Sequence, residues 1–429
     1  MTKTQLPLVA FALLGLAGCD DAPEPKELTG AEAAQYAVVS SDYSSTSISL
    51  LGAKAELVAD DYINSGSVEA GLVAFLSGDV DLPTASNDPG VLVIIDRFKT
   101  DVITRIRLSD GEILGQVKTH TPPDQDSETT YTSNPHDYIR IDDETAWVTR
   151  NQPNLDPDAP ELERGSDLLR IDPSSMERSD ERIDLSMFET TVTRTNFETM
   201  KEEEVQIYAK PSRLTRVGGT LVVGLMRNSV DFSAHASGMV ALFDLKTRKV
   251  SGLDLPDLIG CTKVLPIPGE SERVLVTCGG DSIDVRATAG FAIVRVRDGK
   301  ATLEQRWAAK DHEELPVLSG NSVALGGTLI AASSSSYSAD EDSVFGTLDL
   351  ASGKFSELLS IPGGTGNFGS PVYDTKDKLL LVPDSSADAD MRPSAGVHVL
   401  TRGADGFEET DMLKVAEDTA MPARHVYPL

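Results

Sequence analysis

The sequence of 429 residues is short of positive charge, of aromatic side chains and of cysteine. Lysine and arginine number 38 against 68 aspartate and glutamate residues, which gives a formal net charge of −30. A surface that binds nucleic acid needs a basic patch, so this balance argues against a nucleic-acid partner. Aromatic residues make up 5% of the chain, yet apolar residues reach 40% and allow a globular core. We interpret the acidity first as a solvated surface that keeps the protein soluble.

Several motifs of catalytic chemistry are also missing. No HExxH or GxSxG sequence occurs, and no glycine-rich loop stands between a strand and a helix as phosphate binding requires. No ten-residue helical pattern is found after residue 30. The apolar stretch at residues 6–16 is too short to span a bilayer as a helix. These absences disfavour the enzyme classes that are recognised by a local motif.

The first residues have the pattern of an export signal. Lys3 supplies a positive charge, residues 6–16 are apolar, and the tetrapeptide LAGC ends at Cys19. That tetrapeptide resembles the lipobox of bacterial lipoproteins, which implies lipid on Cys19; the alternative is an ordinary cleaved signal. The predicted location is the bacterial cell envelope, with the lipid in a membrane and the protein facing the periplasm or the cell surface. The predicted divisions are a signal peptide at 1–18, a lipidated cysteine with a polar tether at 19–34, and a propeller domain at 35–429.

Seven copies of one strand-rich unit follow the tether. Each copy begins with an apolar run that alternates with period two, followed by a turn or loop and a second such run. The starts of successive copies lie 50 to 55 residues apart, except for one step of 75. A strand-rich repeat of this length is typical of a β-propeller. We predict an all-β, seven-bladed propeller of four-stranded blades, in which the C-terminal strand at 423–427 joins the first blade and closes the ring.

Two of the copies carry a family resemblance. Residues 36–51, YAVVSSDYSSTSISLL, and residues 92–117 resemble the repeat of bacterial propellers of the YVTN-repeat type; residues 147–150 and 344–354 are looser copies. The asparagine that usually closes the first strand of that repeat is absent. The resemblance implies a binding or scaffold protein of the envelope, and a few members of the wider group resemble lactonases or lyases. Only two tryptophans are present, which argues against the propellers that resemble quinone-cofactor dehydrogenases, and we expect no organic cofactor.

The two remaining cysteines flank a predicted hairpin. Two apolar runs surround the turn at residues 268–271, and folding the chain about that turn places Cys261 opposite Cys278. Directly opposed residues on antiparallel strands are close enough for a disulfide. The alternative is a pair of buried free thiols.

The long connections are expected on a single face of the propeller. They join the second strand to the third and the fourth strand to the next blade, and both kinds emerge at the same end of the ring. Functional loops concentrate on one face of a rigid scaffold; neutral insertion is the alternative. The sequence of one connection, residues 186–210, predicts an extra β-hairpin on the rim. We interpret this hairpin as an arm for a protein partner. The loops are acidic, and the calcium candidates among them are Asp384, Asp388 and Asp390. The simpler alternative is that these carboxylates are solvated surface charge.

The first side chains of the innermost strands are expected to line the mouth of the central channel. The predicted ligand-binding residues are His136, Asp137, Arg213, Lys263, Asn321, Arg424 and His425. Such a ring of donors suits a small polar or anionic ligand, unless the channel side chains simply satisfy one another.

We interpret the chain as a monomeric, non-catalytic module that recognises a protein or a small polar ligand on its long-loop, acidic face. The alternative function is a lactonase-like hydrolase or lyase, with His136 and Asp137 as its acid–base pair and with calcium as an optional metal.

Overall fold

The computed structural model describes residues 30–67, 76–121, 131–196, 199–318, 321–334, 341–363, 366–386, 396–419 and 421–429. The signal peptide, Cys19 and most of the tether lie outside these residues, so those assignments stay predictions. Within the described chain, no helix combines the length and the apolar character needed to cross a membrane.

The protein is an all-β propeller of seven four-stranded antiparallel blades, as the sequence predicts. The strands, in chain order, are β1 Tyr36–Ser41, β2 Thr46–Leu51, β3 Leu57–Asn64, β4 Val80–Asp81, β5 Val91–Asp96, β6 Val102–Arg107, β7 Ile113–Lys118, β8 Pro135–Arg140, β9 Ala146–Pro153, β10 Gly165–Asp172, β11 Glu177–Asp184, β12 Thr190–Asn196, β13 Lys201–Ile207, β14 Pro211–Val217, β15 Thr220–Leu225, β16 Gly238–Asp244, β17 Val250–Leu255, β18 Cys261–Pro266, β19 Arg273–Cys278, β20 Gly290–Arg297, β21 Lys300–Ala308, β22 Ser322–Gly326, β23 Leu329–Ser333, β24 Ser343–Asp349, β25 Lys354–Ile361, β26 Val372–Asp374, β27 Leu379–Pro383, β28 Val397–Arg402, β29 Phe407–Leu413 and β30 Ala423–Pro428. Among the described residues, helix is confined to one short α-helix, Val285–Thr288, and to single 3₁₀ turns at Ala31–Ala33, Glu161–Glu163, Ser186–Phe188 and Ala309–Asp311.

Both ends of the folded chain contribute to the first blade, and this closes the ring. The blade has the order β3-β2-β1-β30, so its innermost strand is the last strand of the chain. In that pairing Ala37 lies opposite Tyr427, and Val39 lies opposite His425. The Tyr36 hydroxyl then donates to Asp374 of the seventh blade at 2.6 Å. Closure in this way leaves no open edge between the first and last blades.

The core is formed by apolar side chains packed between neighbouring blades. The inner strands β1, β2 and β5 are buried along their whole length, whereas an outer strand such as β29 is mostly exposed. Between the third and fourth blades the ring of Trp147 meets that of Phe243 edge-on, with centroids 5.3 Å apart. Successive residues of an inner strand pack on opposite sides: in β1, Val39 packs toward the second blade and Val38 toward the seventh, so both faces of the strand are buried.

The long connections lie at one end of the ring, which we call the long-loop face. Each innermost strand begins there, and each second strand ends there. The hairpin on this rim is present: β12 pairs with β13, and Val192 and Val205 pack against Ala234 and Ala236. A disulfide joins Cys261 at the start of β18 to Cys278 at the end of β19, with both residues fully buried. The predicted disulfide is therefore confirmed.

Candidate functional site

A buried ionic group lies across the centre of the channel. Asp81, in the two-residue strand β4, accepts hydrogen bonds from the Arg213 guanidinium and from the Tyr427 hydroxyl. Arg213 Nη2 also donates to Tyr427 Oη at 2.7 Å, and the Arg97 guanidinium lies 3.5 Å from the Asp81 carboxylate. We call Asp81, Arg97, Arg213 and Tyr427 the ionic centre. It joins the innermost strands of three different blades through charged hydrogen bonds.

Arg213 also holds backbone groups of neighbouring blades. Its Nη1 donates to the carbonyl of Leu82 at 2.8 Å and to the carbonyl of His136 at 2.9 Å. These bonds occupy the guanidinium almost completely, so we assign Arg213 to the structure of the channel rather than to direct ligand contact.

The charges of the ionic centre are fixed near neutral pH. Burial alone would raise the pKa of Asp81, but the cations beside it, Arg213 above all, hold that pKa far below its usual range. Burial raises the pKa of Tyr427 well above its ordinary value, and the Asp81 carboxylate raises it further. Asp81 is therefore an anion and Tyr427 a neutral donor across the physiological pH range.

Lys263 and Asn321 belong to a second cluster beside the ionic centre, in which the lysine contacts only neutral oxygens among the described residues. The Lys263 ammonium donates to Asn321 Oδ1 and, at 2.8 Å, to Ser370 Oγ. Asn321 in turn donates to the Phe368 carbonyl at 3.2 Å. Burial in the channel lowers the pKa of Lys263 to about 7, and the nearby Arg213 charge acts in the same direction. A lysine in this state switches between ammonium and free amine close to neutral pH.

The structure places His136 and Asp137 in separate environments. His136 Nδ1 lies 3.0 Å from Ser212 Oγ, and burial together with the positive charges of Arg97 and Arg213 lowers its pKa well below the ordinary value. The Asp137 carboxylate faces away from that ring, because successive side chains on a strand point to opposite sides.

Asp137 instead connects three blades through backbone amides. Its oxygens accept from the amide of Thr84 at 2.9 Å, that of Leu214 at 2.8 Å and that of Tyr138 at 2.9 Å. The two side chains are therefore not within hydrogen-bond distance as an acid–base pair.

Arg424 and His425 lie at the mouth of the channel on the long-loop face. They line a pocket of about 180 Å³ together with Asp79, Arg97 and Asn321. Arg424 Nε donates to the Ser41 carbonyl at 3.0 Å, and its guanidinium stacks 4.5 Å from the centre of the Tyr43 ring. Burial lowers the pKa of His425 to about 4, so its imidazole is neutral at pH 7. Its Nδ1 is buried and has no hydrogen-bond partner among the described residues.

The three calcium candidates are not brought together in the part of the chain that is described. Asp384 is fully buried, where it accepts from the Ser386 amide at 2.9 Å and lies 3.5 Å from His398 Nε2. Asp388 and Asp390 lie outside the described residues. Elsewhere in the described ranges, no three His, Cys, Asp or Glu side chains cluster at metal-binding distance.

Asp81, Arg97 and Tyr427 were not among the residues that the sequence predicts for the site. The innermost strand of the second blade, Val80–Asp81, has only two residues, too few to show an alternating pattern. The available signal was positional: this short segment precedes the strong apolar run of β5, where every other blade has an innermost strand.

Solved structures of other proteins share this fold. The chain superposes on a periplasmic gluconolactonase from Pseudomonas aeruginosa with a TM-score of 0.52 and 11% identity, covering 92% of this chain and 99% of that one. A candidate 6-phosphogluconolactonase from Bacteroides fragilis gives 0.54 and 10%, covering 94% and 99%. A hypothetical selenium-binding protein from Sulfolobus tokodaii gives 0.51 and 11%, covering 92% and 93%. At such identities the likeness extends to the fold alone. No protein-family model and no curated protein matches the sequence.

Replacing Lys263 by methionine should change how stability depends on pH. The folded-state pKa of about 7 lies below the ordinary lysine value of 10.5. Between these values the unfolded chain binds one more proton than the native state, so this lysine makes the free energy of unfolding rise with pH. The free energy of unfolding of the wild type minus that of Lys263→Met should increase by about 2 kcal/mol from pH 7 to pH 9. Urea titrations at each pH measure it.

The matched control for this series is Lys300→Met, which removes an exposed lysine from the outer strand β21 of the same blade. Its stability profile should run parallel to that of the wild type. Parallel profiles for Lys263→Met would show that Lys263 titrates normally in the folded protein.

Proposed function

We propose that the protein is a lipid-anchored envelope protein whose propeller binds a small polar anion at the channel mouth of the long-loop face. The observation that carries the proposal is the pocket lined by Arg424, His425 and Asn321, where donors converge and the buried His425 Nδ1 has no partner among the described residues. A buried polar atom without a partner is costly unless a ligand or water completes it.

The chemistry of the pocket indicates the kind of ligand. Arg424 and Arg97 supply positive charge, and Asp79, which accepts from Arg97, supplies an acceptor. A ligand that combines a carboxylate with hydroxyl groups satisfies both kinds of group. The pocket of about 180 Å³ has room for about six waters at liquid density. This volume is comparable to that of one sugar acid.

Arg424→Ala should weaken the binding of such a ligand. With D-gluconate as the probe, isothermal titration calorimetry should show an affinity at least about tenfold lower for the variant, because one charge-assisted hydrogen bond contributes about 1.5–3 kcal/mol. Arg297→Ala, which removes an exposed arginine of blade five, is the matched control and should bind as the wild type does. Equal affinity for Arg424→Ala and wild type would contradict the proposed site.

A second candidate function is hydrolysis of a sugar lactone in the same pocket. It is favoured by the neutral His425 imidazole at the mouth and by the likeness in fold to a protein named as a gluconolactonase. In that reaction His425 would accept a proton from water as the water oxygen attacks the lactone carbonyl. The imidazolium would then return this proton to the ring oxygen as the bond between that oxygen and the carbonyl carbon breaks.

The hydrolytic function predicts a rate above the uncatalysed background that His425→Ala abolishes. Glucono-1,5-lactone hydrolysis followed in a pH-stat should show an enzymatic rate that rises with pH through about 4, because the base must be neutral. A rate equal to the buffer background at every pH would leave binding as the function of the pocket.

The envelope location rests on the export pattern that ends at Cys19. Expressed with its own signal in a Gram-negative host, the wild-type chain should incorporate radiolabelled palmitate and fractionate with membranes. Cys19→Ala should lose the label and leave the membrane fraction. An unlabelled wild-type chain, or equal fractionation of both chains, would contradict lipid anchoring.

A further inference from the structure

The opposite end of the channel contains a second cavity, of about 170 Å³. It lies where the innermost strands end, away from the long-loop face, and the Lys263–Asn321–Ser370 cluster separates it from the first pocket. We call it the lower cavity. Most of its wall is apolar, and the apolar residues that line it are Leu265, Pro266, Pro268, Val323, Ala324, Pro371, Val372, Val426 and Pro428.

The charge of the lower cavity is one-sided. Among the described residues, the charged side chains on its lining are Arg213 and Lys263, both at its inner end, and no aspartate or glutamate of that part of the chain lines it. Arg213 is already paired with Asp81. The Lys263 nitrogen contacts two neutral oxygens, and in the described chain no carboxylate oxygen lies within 4.0 Å of it. An ammonium group held in this way gains from an anion placed beside it, because an opposite charge at short range favours the charged form.

We propose that the lower cavity is a second ligand site, which takes a small amphiphilic monocarboxylate. The carboxylate meets Lys263 and Ser370 at the inner end, and the hydrocarbon body contacts Leu265 and Val323. An apolar cavity of about 150 Å³ is large enough for benzene, so the body has about six or seven carbons. This site goes beyond the proposed function, since its ligand chemistry and its lining differ from those of the pocket at Arg424.

Lys263 gives the site a measurable signature. The charged and titratable groups beside it in the described part of the channel are Arg213, Asp81, His425 and Tyr427. At pH 8 the lysine is largely free amine in the unliganded protein, and a bound carboxylate stabilises its ammonium form. Binding therefore takes up close to one proton at that pH.

The probe is benzoate, titrated calorimetrically at pH 8 into the purified protein in two buffers of different ionisation enthalpy. We expect binding with proton uptake, and at least tenfold weaker binding of the uncharged analogue benzyl alcohol. Lys263→Met should lower benzoate affinity at least tenfold and abolish the proton uptake. Val323→Phe should fill the cavity and remove binding, while the exposed Lys300→Met should behave as the wild type does.

Three outcomes would overturn the proposal: no benzoate binding to the wild type, unchanged binding to Val323→Phe, or wild-type binding without proton uptake. Melting curves identify a variant that fails to fold. If Lys263→Met does not fold, the proton uptake of the wild type and the loss of binding in Val323→Phe still test the proposal. Gluconate titrations of the same variants separate the two sites, because Val323→Phe should leave gluconate binding intact and Arg424→Ala should leave benzoate binding intact.

Discussion

The ionic centre is the interaction on which the rest of the channel depends. Its residues come from the second, fourth and first blades, and Asp81 is separated by 132 residues from Arg213 and by 346 from Tyr427 along the chain. A lone buried carboxylate or guanidinium is very unfavourable, whereas the pair with its hydrogen bonds satisfied is tolerated. The centre therefore fixes how these blades meet at the axis, in addition to the apolar packing between neighbours.

Beside this centre, the Lys263–Asn321–Ser370 cluster separates two cavities of opposite character. The pocket on the long-loop face is rich in charged and polar donors, and the lower cavity is largely apolar. Between them Lys263 contacts Asn321, which lines the first, and Ser370, which lines the second. A change in the protonation of Lys263 is thus felt at both ends of the channel.

The fold was predictable because its information is local and repeated. Period-two alternation defines each strand, and the hairpin turn brings the ends of its two strands together. The terminal strand β30 was recognisable for the same reason, as an alternating segment with no later strand to pair with. The exact register was less predictable, because the ladder shifts by one residue between Cys261 and Lys263 before Cys261 pairs with Cys278.

The candidate site was predictable only in outline. Lys263, Asn321, Arg424 and His425 do line the channel, since each stands near the start of an innermost strand. The contacts of each side chain involve other blades, whose residues can lie hundreds of positions away in the sequence. Local sequence patterns therefore do not predict these contacts. The adjacency of His136 and Asp137 in sequence suggested a pair, but neighbouring positions on a strand face opposite ways.

The measurement that tests this account most directly is a double-mutant cycle on the ionic centre. Asp81→Asn and Arg213→Met, singly and together, are compared with wild type by the free energy of unfolding in urea. Each single substitution should cost about 3–5 kcal/mol, because it leaves an uncompensated buried partner. The double variant should lose little more than one single variant. Additive losses would show that the two side chains act independently, and that the ionic centre does not hold the channel together.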